Sequence, residues 1–352
     1  MYEEFREEVV NLDNKKDSDQ INAFLIANDL LYEPCDYTVR IMDHTGALAG
    51  TGSVDGAIIK GVAVGSEFRE TVVFAKIVTH LLEYLAGRNI HHVFVFTKPA
   101  SVQSFKNLGF TEIERAEPLF AVLEYGVKGI KTYQDYLKKN KIHNSGDKVG
   151  GIVVNCNPFT LGHRYVIETA AGKCDALYVF VVQEERSTFP FKLRYELIEK
   201  GTADLKNVRI LKGGDYIISS STFPSYFLKN ESESDIARYQ AELDVRIFAR
   251  HIAPVLHIQT RFVGTEDYCA TTAAYNEAMK HVLPEFHIGL EVITRKRLKN
   301  DLIISASHVR NALKQDDWDL IKSLVPKTTY DFLKSPYAVP IIKALKAGEG
   351  RH

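Results

Sequence analysis

The residues best suited to chemistry in this sequence are Thr160, Gly162 and His163. A hydroxyl and an imidazole can donate hydrogen bonds to phosphate oxygens whose charge grows during displacement, and catalysis of that step depends on positioning and electrostatics. The glycine lets the backbone approach a ligand closely. A Gly-His pair is common by chance in a chain with 22 Gly and 12 His. The case for a nucleotide site therefore rests on the elements that hold these residues.

A strand–loop–helix unit holds them. The apolar, β-branched run at 152–156 predicts a strand that is buried on both faces, and Asn157-Pro158 ends it. From about Gly162, apolar residues recur at helical spacing as far as Gly172, and a second buried strand is predicted over 174–182. A helix start has unpaired N–H groups and a partial positive charge, so this loop is expected to bind phosphate.

A second anion site is predicted near residue 305. Ser305 is a good N-cap, and Ser307 and Arg310 would then place a second hydroxyl and a guanidinium at the same helix start. Arginine binds phosphate in a bidentate manner. Further candidates for ATP contacts equally fit an ordinary solvated surface, and these are Lys192, Arg194, Glu266, Asp267, the basic residues 295–297 and Lys299.

Length and composition indicate an ordinary globular protein of about two domains, with 352 residues, 45% hydrophobic and 25% charged. The formal net charge of -1 gives no basic field for nucleic acid or an anionic membrane. Four scattered cysteines without a CxxC pair argue against structural disulfides and a zinc site, and they fit a reducing cytoplasm. We expect neither a signal peptide nor a membrane span.

The first 130 residues predict a different domain. A helix is expected up to about residue 31, then strands at 37–42, 47–54 and 58–64, a helix over 71–85, a strand at 91–97, a helix over 101–108 and a strand at 119–124. This order, and the segment Ala100-Ser-Val-Gln-Ser-Phe-Lys-Asn-Leu-Gly-Phe110, resembles the N-acetyltransferase (GNAT) fold. That family holds the coenzyme A pyrophosphate on a glycine-rich loop, whereas Val72 and Phe74 occupy the corresponding positions here. We therefore expect a structural or docking module.

The two halves together predict an α/β protein. A GNAT-like α+β domain is expected over 1–130 and a linker over 131–148. A Rossmann-like parallel-sheet nucleotidylyltransferase domain that binds ATP is expected over 149–352.

The second half resembles the nucleotidylyltransferase superfamily, whose motifs are (H/T)-x-G-H and I-S-S-T-x-x-R. Thr160-Leu-Gly-His163 matches the first motif, and Ile304-Ser-Ala-Ser-His-Val-Arg310 matches the second with Ala306 and Ser307 in place of the usual Ser-Thr. The whole chain resembles the citrate (pro-3S)-lyase ligase family, also on residues 155–164, 213–218, 222–226, 261–264 and 275–276.

This resemblance implies ATP-dependent acetylation of the thiol on the acyl-carrier subunit of citrate lyase, in the cytoplasm, through acetyl-AMP made from acetate. Magnesium is expected to arrive with ATP. Thr160, His163 and Arg310 would be catalytic. The implied ATP contacts are Asn157, Pro158, Phe159, Gly162, Lys192, Gly264, Ser305, Ser307 and Arg310.

Two alternatives remain open on the motifs alone. One is an adenylyltransferase that acts on a small phosphate such as a pantetheine phosphate. The other is a non-catalytic docking protein with a relic nucleotide fold. The GNAT-like front and the whole-chain resemblance weigh against the first, and the intact Thr160, His163 and Arg310 weigh against the second.

Overall fold

The computed structural model describes residues 5–142, 146–183, 187–217, 223–265, 270–298 and 301–348. The first of these ranges contains β1 (Arg6–Val9), α1 (Lys15–Ala27), β2 (Tyr37–Met42), β3 (Leu48–Asp55), β4 (Ile58–Val64), α2 (Val73–Gly87), β5 (Val93–Thr97), α3 (Val102–Lys106), β6 (Thr111–Ala116), β7 (Phe120–Tyr125) and α4 (Ile130–Lys139).

The remaining ranges contain β8 (Val149–Val154), α5 (Leu161–Ala171), β9 (Ala176–Val181), α6 (Phe191–Gly201), β10 (Val208–Lys212), α7 (Glu233–Ile247), α8 (Ala253–Leu256), β11 (Thr260–Gly264), α9 (Ala270–Glu285), β12 (Gly289–Ile293), α10 (Ala306–Lys314), α11 (Trp318–Leu324), α12 (Lys327–Leu333) and α13 (Val339–Ala347). None of the helices in these described ranges is both long and apolar enough to cross a membrane.

The chain forms two compact units. The first comprises Met1–Thr132 and Thr222–Arg246, and the second comprises Tyr133–Ser221 and Ile247–His352. The sequence analysis drew one boundary, in a linker over 131–148, and assigned every later residue to the second domain. The first unit differs from that division because it also contains a later segment of the chain. The first half of the predicted linker is helical, since α4 covers residues 130–139 and buries Tyr133 and Leu137.

The first unit is built on a mixed sheet of seven described strands in the order β1-β2-β3-β4-β5-β7-β6. Neighbouring strands are antiparallel except β4 and β5, which are parallel. Helix α2 packs on this sheet through apolar residues at helical spacing, and these are Val73, Ile77, Val78, Leu81 and Leu85. The element order agrees with the one that the GNAT resemblance implied.

Two strands of this unit differ from the prediction. Residues 6–9, predicted as part of a helix, form the edge strand β1, because pairing with β2 overrides the local helix preference of a glutamate-rich stretch. Strand β6 was missed because its charged residues hide the apolar pattern. Glu112 and Arg115 of β6 form an ion pair at 2.5 Å.

The second unit contains five described strands, all parallel, in the order β10-β9-β8-β11-β12. This arrangement confirms the predicted Rossmann-like sheet. The chain runs outward from the central strand β8 through β9 and β10, and then returns to form β11 on the other side of β8. Ligands of such sheets bind at the carboxyl ends of the strands where the order reverses. Helix α5 begins at that edge, directly after β8.

Candidate active site

The first predicted anion site lies at the start of α5, where Thr160 caps the helix. Its Oγ1 accepts a hydrogen bond from the backbone N–H of His163 at 3.2 Å, and its own backbone N–H donates to His163 Nδ1 at 3.1 Å. Two N–H groups near the helix start are thereby satisfied. Because Nδ1 accepts this hydrogen bond, the neutral imidazole carries its proton on Nε2, where it is a donor.

The residues around His163 position it. Thr160 and Phe159 are fully buried, and Pro158 is buried as well. The Phe159 and His163 rings are nearly parallel, with centroids 6.2 Å apart and an interplanar angle of 13°. The sequence analysis assigned the Thr160 hydroxyl a direct phosphate contact. In the structure that hydroxyl is sealed from solvent and lies 3.0 Å from His163 Nδ1, so it holds the imidazole.

The second predicted anion site lies at the start of α10. Ser305 Oγ accepts from the His308 backbone N–H at 3.2 Å. His308 Nδ1 lies 2.7 Å from the carbonyl oxygen of Ile303, so this imidazole donates from Nδ1 and has the opposite tautomer to that of His163. Ser307 is exposed, and its hydroxyl accepts from Arg310 Nη2 at 3.2 Å. The two hydroxyls and the guanidinium therefore lie at one helix start, as predicted.

The two helix starts lie against each other. Arg310 Nη1 donates to the carbonyl oxygen of Asn157 at 2.6 Å, across 153 residues of sequence. A Cβ atom at Gly162 would lie 2.3 Å from the carbonyl oxygen of Ile304. Glycine is required at this position because any side chain would push α5 away from the segment that leads into α10. The two predicted anion sites thus form a single cluster.

Asn157 contributes a buried donor to this cluster. Its Oδ1 accepts from the backbone N–H of Phe189 at 2.9 Å, and its side chain is 4% exposed. Within the described part of the chain, Asn157 Nδ2 is buried and has no hydrogen-bond partner. An unsatisfied buried N–H group costs about 1–3 kcal/mol, so a ligand oxygen at this atom would be stabilising.

Arg194 holds the loops around the cluster in place. This arginine is completely buried. Its guanidinium donates to the carbonyl oxygens of Asn155, Val182 and Phe189 at 2.7 to 3.0 Å. Arg194 therefore fixes the loops that follow β8 and β9. It is not placed to meet a triphosphate, contrary to the option raised from the sequence, whereas Lys192 on the same helix is exposed.

The electrostatics of the cluster favour an anion. Burial, followed by the positive charges of Arg295 and Arg310, lowers the pKa of His163 from 6.5 to about 4. The imidazole is consequently neutral at physiological pH and donates without bearing a charge. Burial also lowers the pKa of Arg310 from its usual value. Two arginines, two helix starts and a neutral histidine donor make a site of donors and positive charge, which suits phosphate oxygens.

Gly264 ends β11 beside helix α5. A Cβ atom there would lie 3.7 Å from Val166 of α5 and 3.7 Å from Arg295 Nε, so this position has ordinary space around it. Three other candidates from the sequence, Glu266, Asp267 and Lys299, lie outside the described residues.

A groove of about 310 Å³ lies on the outer face of α5, between Arg164, Tyr165, Lys296 and Lys327. Lys296 belongs to the basic cluster 295–297 that the sequence analysis raised as a candidate, but none of the ATP contacts implied by the family resemblance lines this groove. Among the residues that the structure describes, no group of three or more His, Cys, Asp or Glu side chains is arranged to hold a metal ion.

Comparison with known proteins gives the family. Residues 149–333 match the family model described as the citrate lyase ligase C-terminal domain. The citrate (pro-3S)-lyase ligase of Escherichia coli is 36% identical over 327 residues, covering 92% of each chain. The ligase of the same name from Haemophilus influenzae is 38% identical over 320 residues, covering 89% of this chain and 94% of the relative. This chain belongs to the citrate lyase ligase family. The resemblance stated from the sequence is thereby confirmed.

Solved structures similar to this citrate lyase ligase family member are acyltransferases. A GNAT-family acetyltransferase from Staphylococcus aureus is 12% identical with a TM-score of 0.29, and the match covers 35% of this chain and 98% of the other. FeeM, an N-acyl amino acid synthase from uncultured soil microbes, is 14% identical with a TM-score of 0.31, covering 36% and 92% respectively.

The sequence analysis of this citrate lyase ligase family member missed the roles of Arg194 and Arg295. The signal for Arg194 was present, because residues 194, 197, 198 and 201 make up the buried face of α6. A charged residue on an apolar helical face indicates buried hydrogen bonding. Arg295 was seen as part of a basic cluster, but its proximity to His163 depends on the return of the chain through β12.

Proposed function

We propose that this chain is an ATP-dependent ligase that activates citrate lyase. It would convert acetate and ATP into acetyl-AMP and pyrophosphate, and then transfer the acetyl group to the prosthetic-group thiol of the acyl-carrier subunit, releasing AMP. Family membership supports the ligase role. The observation that carries the ATP chemistry is the contact between the starts of α5 and α10, marked by the Arg310–Asn157 hydrogen bond.

In the first step, a carboxylate oxygen of acetate attacks the α-phosphorus of ATP, and the bond to the bridging oxygen of pyrophosphate breaks. Negative charge grows on the phosphate oxygens as this bond breaks. In this proposal His163 donates from Nε2 to one of those oxygens, and Thr160 holds the imidazole in place. Arg310, Ser307, the N–H groups at the two helix starts and Asn157 Nδ2 bind the β- and γ-phosphates.

The remaining ATP contacts are proposed as follows. Gly162 allows the start of α5 to approach the segment before α10. Gly264 leaves space for the nucleotide at the end of β11, and Lys192 is an exposed cation in the first turn of α6. Pro158 and Phe159, which precede α5, and Ser305, which caps α10, form the wall of the site. Magnesium enters with ATP, since phosphate and water oxygens are its usual ligands.

In the second step, the carrier thiolate attacks the carbonyl carbon of the acetyl group in acetyl-AMP. The bond from this carbon to the phosphate oxygen breaks, and AMP leaves. Activation is needed because a carboxylate resists attack by a thiolate, whereas a mixed anhydride has a good leaving group. No base from the protein is required once the thiol is ionised.

Pyrophosphate release tests the proposal. The full chain is incubated with ATP and magnesium, first with acetate alone, then with acetate and the deacetylated acyl-carrier subunit, and finally with 4′-phosphopantetheine in place of acetate. We expect pyrophosphate that depends on acetate, together with an acetylated carrier that can be detected by mass spectrometry.

The other outcomes identify the alternatives. Pyrophosphate that requires 4′-phosphopantetheine and ignores acetate would indicate an adenylyltransferase. A chain that binds the carrier but releases no pyrophosphate under any condition would be a docking protein. Either result would overturn the ligase proposal.

A further inference from the structure

The sheet of the first unit has a gap between the parallel strands β4 and β5. The parallel strands β4 and β5 pair at just two positions of the described register, Ile58 with Phe94 and Ile59 with Val95. Both strands continue, as far as Val64 and Thr97. Beyond the paired positions the facing backbone groups cannot reach each other, although buried N–H and C=O groups need partners. A polar group that lies in this gap can therefore hydrogen-bond to both strands.

Tyr226 makes those bonds. Its hydroxyl donates to the carbonyl oxygen of Phe96 in β5 at 2.9 Å, and the backbone amide of Gly61 in β4 faces the same hydroxyl oxygen. Gly61 has φ +63°, a conformation that glycine adopts without strain, and lies where the register between β3 and β4 shifts. Tyr226 is 5% exposed, and burial raises its pKa, so the phenol stays protonated.

The backbone of Tyr226 and of the preceding Ser225 makes further hydrogen bonds. The carbonyl oxygen of Tyr226 accepts from the backbone N–H of Leu31 at 2.6 Å. Ser225 donates from its backbone N–H to Glu33 Oε1 at 2.9 Å. Glu33 in turn lies 3.7 Å from Lys60 of β4, a lysine that is 5% exposed. Backbone groups and the Glu33 carboxylate thus hydrogen-bond to this segment.

Aromatic packing completes the contact. The Phe223 ring meets Phe96 edge to face at 5.3 Å, and the Phe227 ring meets Phe120 in the same way at 5.2 Å. Phe223, Phe227 and Leu228 are at most 7% exposed. Edge-to-face pairs stabilise a contact beyond the effect of the area they bury.

We infer that the gap between β4 and β5 is a binding site for a peptide turn, and that residues 223–228 of the same chain occupy it with Tyr226 as the recognised side chain. The turn is closed by the Leu228 backbone N–H, which donates to the carbonyl oxygen of Ser225 at 2.9 Å. The first unit consequently has no room there for a pantetheine arm, because the amides of such an arm would need the same backbone groups of Gly61 and Phe96. The segment is a permanent internal ligand of the first unit.

Tyr226→Phe tests this inference in the full-length chain, because it keeps the ring and removes the hydroxyl. Hydrogen–deuterium exchange is followed by mass spectrometry on peptides that cover 58–64 and 93–97. We expect about 5-fold or greater acceleration in the 58–64 peptide, since a net hydrogen bond is worth about 1 kcal/mol. Tyr337→Phe is the matched control, because Tyr337 is 82% exposed and its exchange should not change. Unchanged exchange in Tyr226→Phe would overturn the inference.

Pantetheine provides a second and independent test. It carries the amides of the coenzyme A arm but no nucleotide, so it does not report on the proposed ATP site. We expect pantetheine to leave the exchange rate of the 58–64 peptide in the wild-type chain unchanged. Saturable binding that slows exchange in the 58–64 peptide would show that the segment is displaced, and the inference would then be wrong. Neither test depends on ligase activity.

Discussion

At the scale of single residues, the state of His163 decides what the cluster can do. Its Nδ1 is occupied by the capping box and its pKa is lowered to about 4, so the side chain presents a neutral N–H. A neutral donor stabilises charge on a phosphate oxygen without first forming a tight ion pair with ground-state ATP. This property favours transition-state stabilisation over simple binding.

Replacing His163 with alanine should lower kcat for pyrophosphate release by about 10²–10³, the effect of losing one transition-state donor. The KM for ATP should change less, because Arg310 and the helix starts are retained. Steady-state kinetics measure both constants. His91→Ala is a matched control because His91 is exposed in the first unit. Near-normal turnover in a correctly folded His163→Ala protein would contradict the assigned role.

The same histidine makes stability depend on pH. In the native chain the pKa of His163 is about 4, whereas in the unfolded chain it is close to 6.5. Between these values the unfolded state binds a proton that the native state does not, so native stability falls as the pH decreases from about 6.5 to 4. At 1.36 kcal/mol per pH unit the loss reaches at most about 3 kcal/mol.

His163→Asn isolates this effect, because an amide oxygen can still accept from the Thr160 N–H and does not titrate. Urea unfolding of both proteins at several pH values gives the difference in their free energies of unfolding. We expect the advantage of the wild type to shrink over this interval and to level off below about pH 4. A difference that is constant with pH would exclude a lowered pKa.

At the scale of elements, the contact between α5 and the segment before α10 depends on one missing side chain. Gly162→Ala would force a Cβ atom against the Ile304 carbonyl oxygen. We expect a loss of about 1–3 kcal/mol of unfolding free energy, typical of overpacking, and reduced pyrophosphate release because the Arg310–Asn157 hydrogen bond is pulled apart. Urea unfolding and kinetics measure these effects.

Gly172→Ala is the matched control in the same helix. Gly172 has an ordinary φ of −69°, and the nearest atoms to an added Cβ are 3.6 Å away. We expect a change within about 0.5 kcal/mol and unaltered turnover. Equal losses in the two variants would mean that the close approach at Gly162 is not what limits the site.

Local patterns were sufficient for most elements of the fold. The buried run before Asn157 predicted β8, the helical spacing after Gly162 predicted α5, and the cap at Ser305 predicted the start of α10. Hydrogen-bond roles could not be read in the same way. Arg194 was weighed as a ligand-binding group because its type fits phosphate, but its guanidinium donates to carbonyl oxygens of the protein. The Thr160 hydroxyl is buried beside His163, and its contact with phosphate stays a prediction. The spacing of residues 194, 197, 198 and 201 marks the buried face of α6. The hydrogen-bond partners of a buried group are distant in sequence, and no local pattern records them.

At the scale of the whole molecule, the division of the chain was the least predictable feature. The sequence analysis noted residues 222–226 only as part of the family resemblance. Their apolar side chains do not indicate which core they join, since apolar residues fit any buried surface of suitable shape. Their position in the first unit depends on the gap between β4 and β5, and that gap arises from the register of strands more than 120 residues earlier in the chain. The proposed ATP contacts remain predictions from motifs and geometry.

Separating the chain at residue 129 tests this division. The piece 130–352 would expose Phe223, Tyr226, Phe227 and Leu228, all at most 7% exposed in the intact chain. We expect it to aggregate alone and to form a soluble 1:1 complex when co-expressed with 1–129, because exposed apolar patches drive association. Size-exclusion chromatography with light scattering distinguishes these states.

A double variant of the longer piece serves as the control. Phe223→Ser and Phe227→Ser together should improve its solubility and weaken its capture of 1–129. The prediction is contradicted if the unmodified piece 130–352 is monomeric alone and ignores 1–129.

The position of Tyr226 also affects the order in which the two units can fold during translation. A ribosome releases the strands of the first sheet long before residue 226 emerges, so the nascent sheet waits with a hollow between β4 and β5 while the intervening β8–β10 region is translated. Domains normally mature one after another from the amino end. Here the earlier domain finishes only after much of the later one has left the exit tunnel, and a translational stop between residues 132 and 222 would leave the gap between β4 and β5 unfilled.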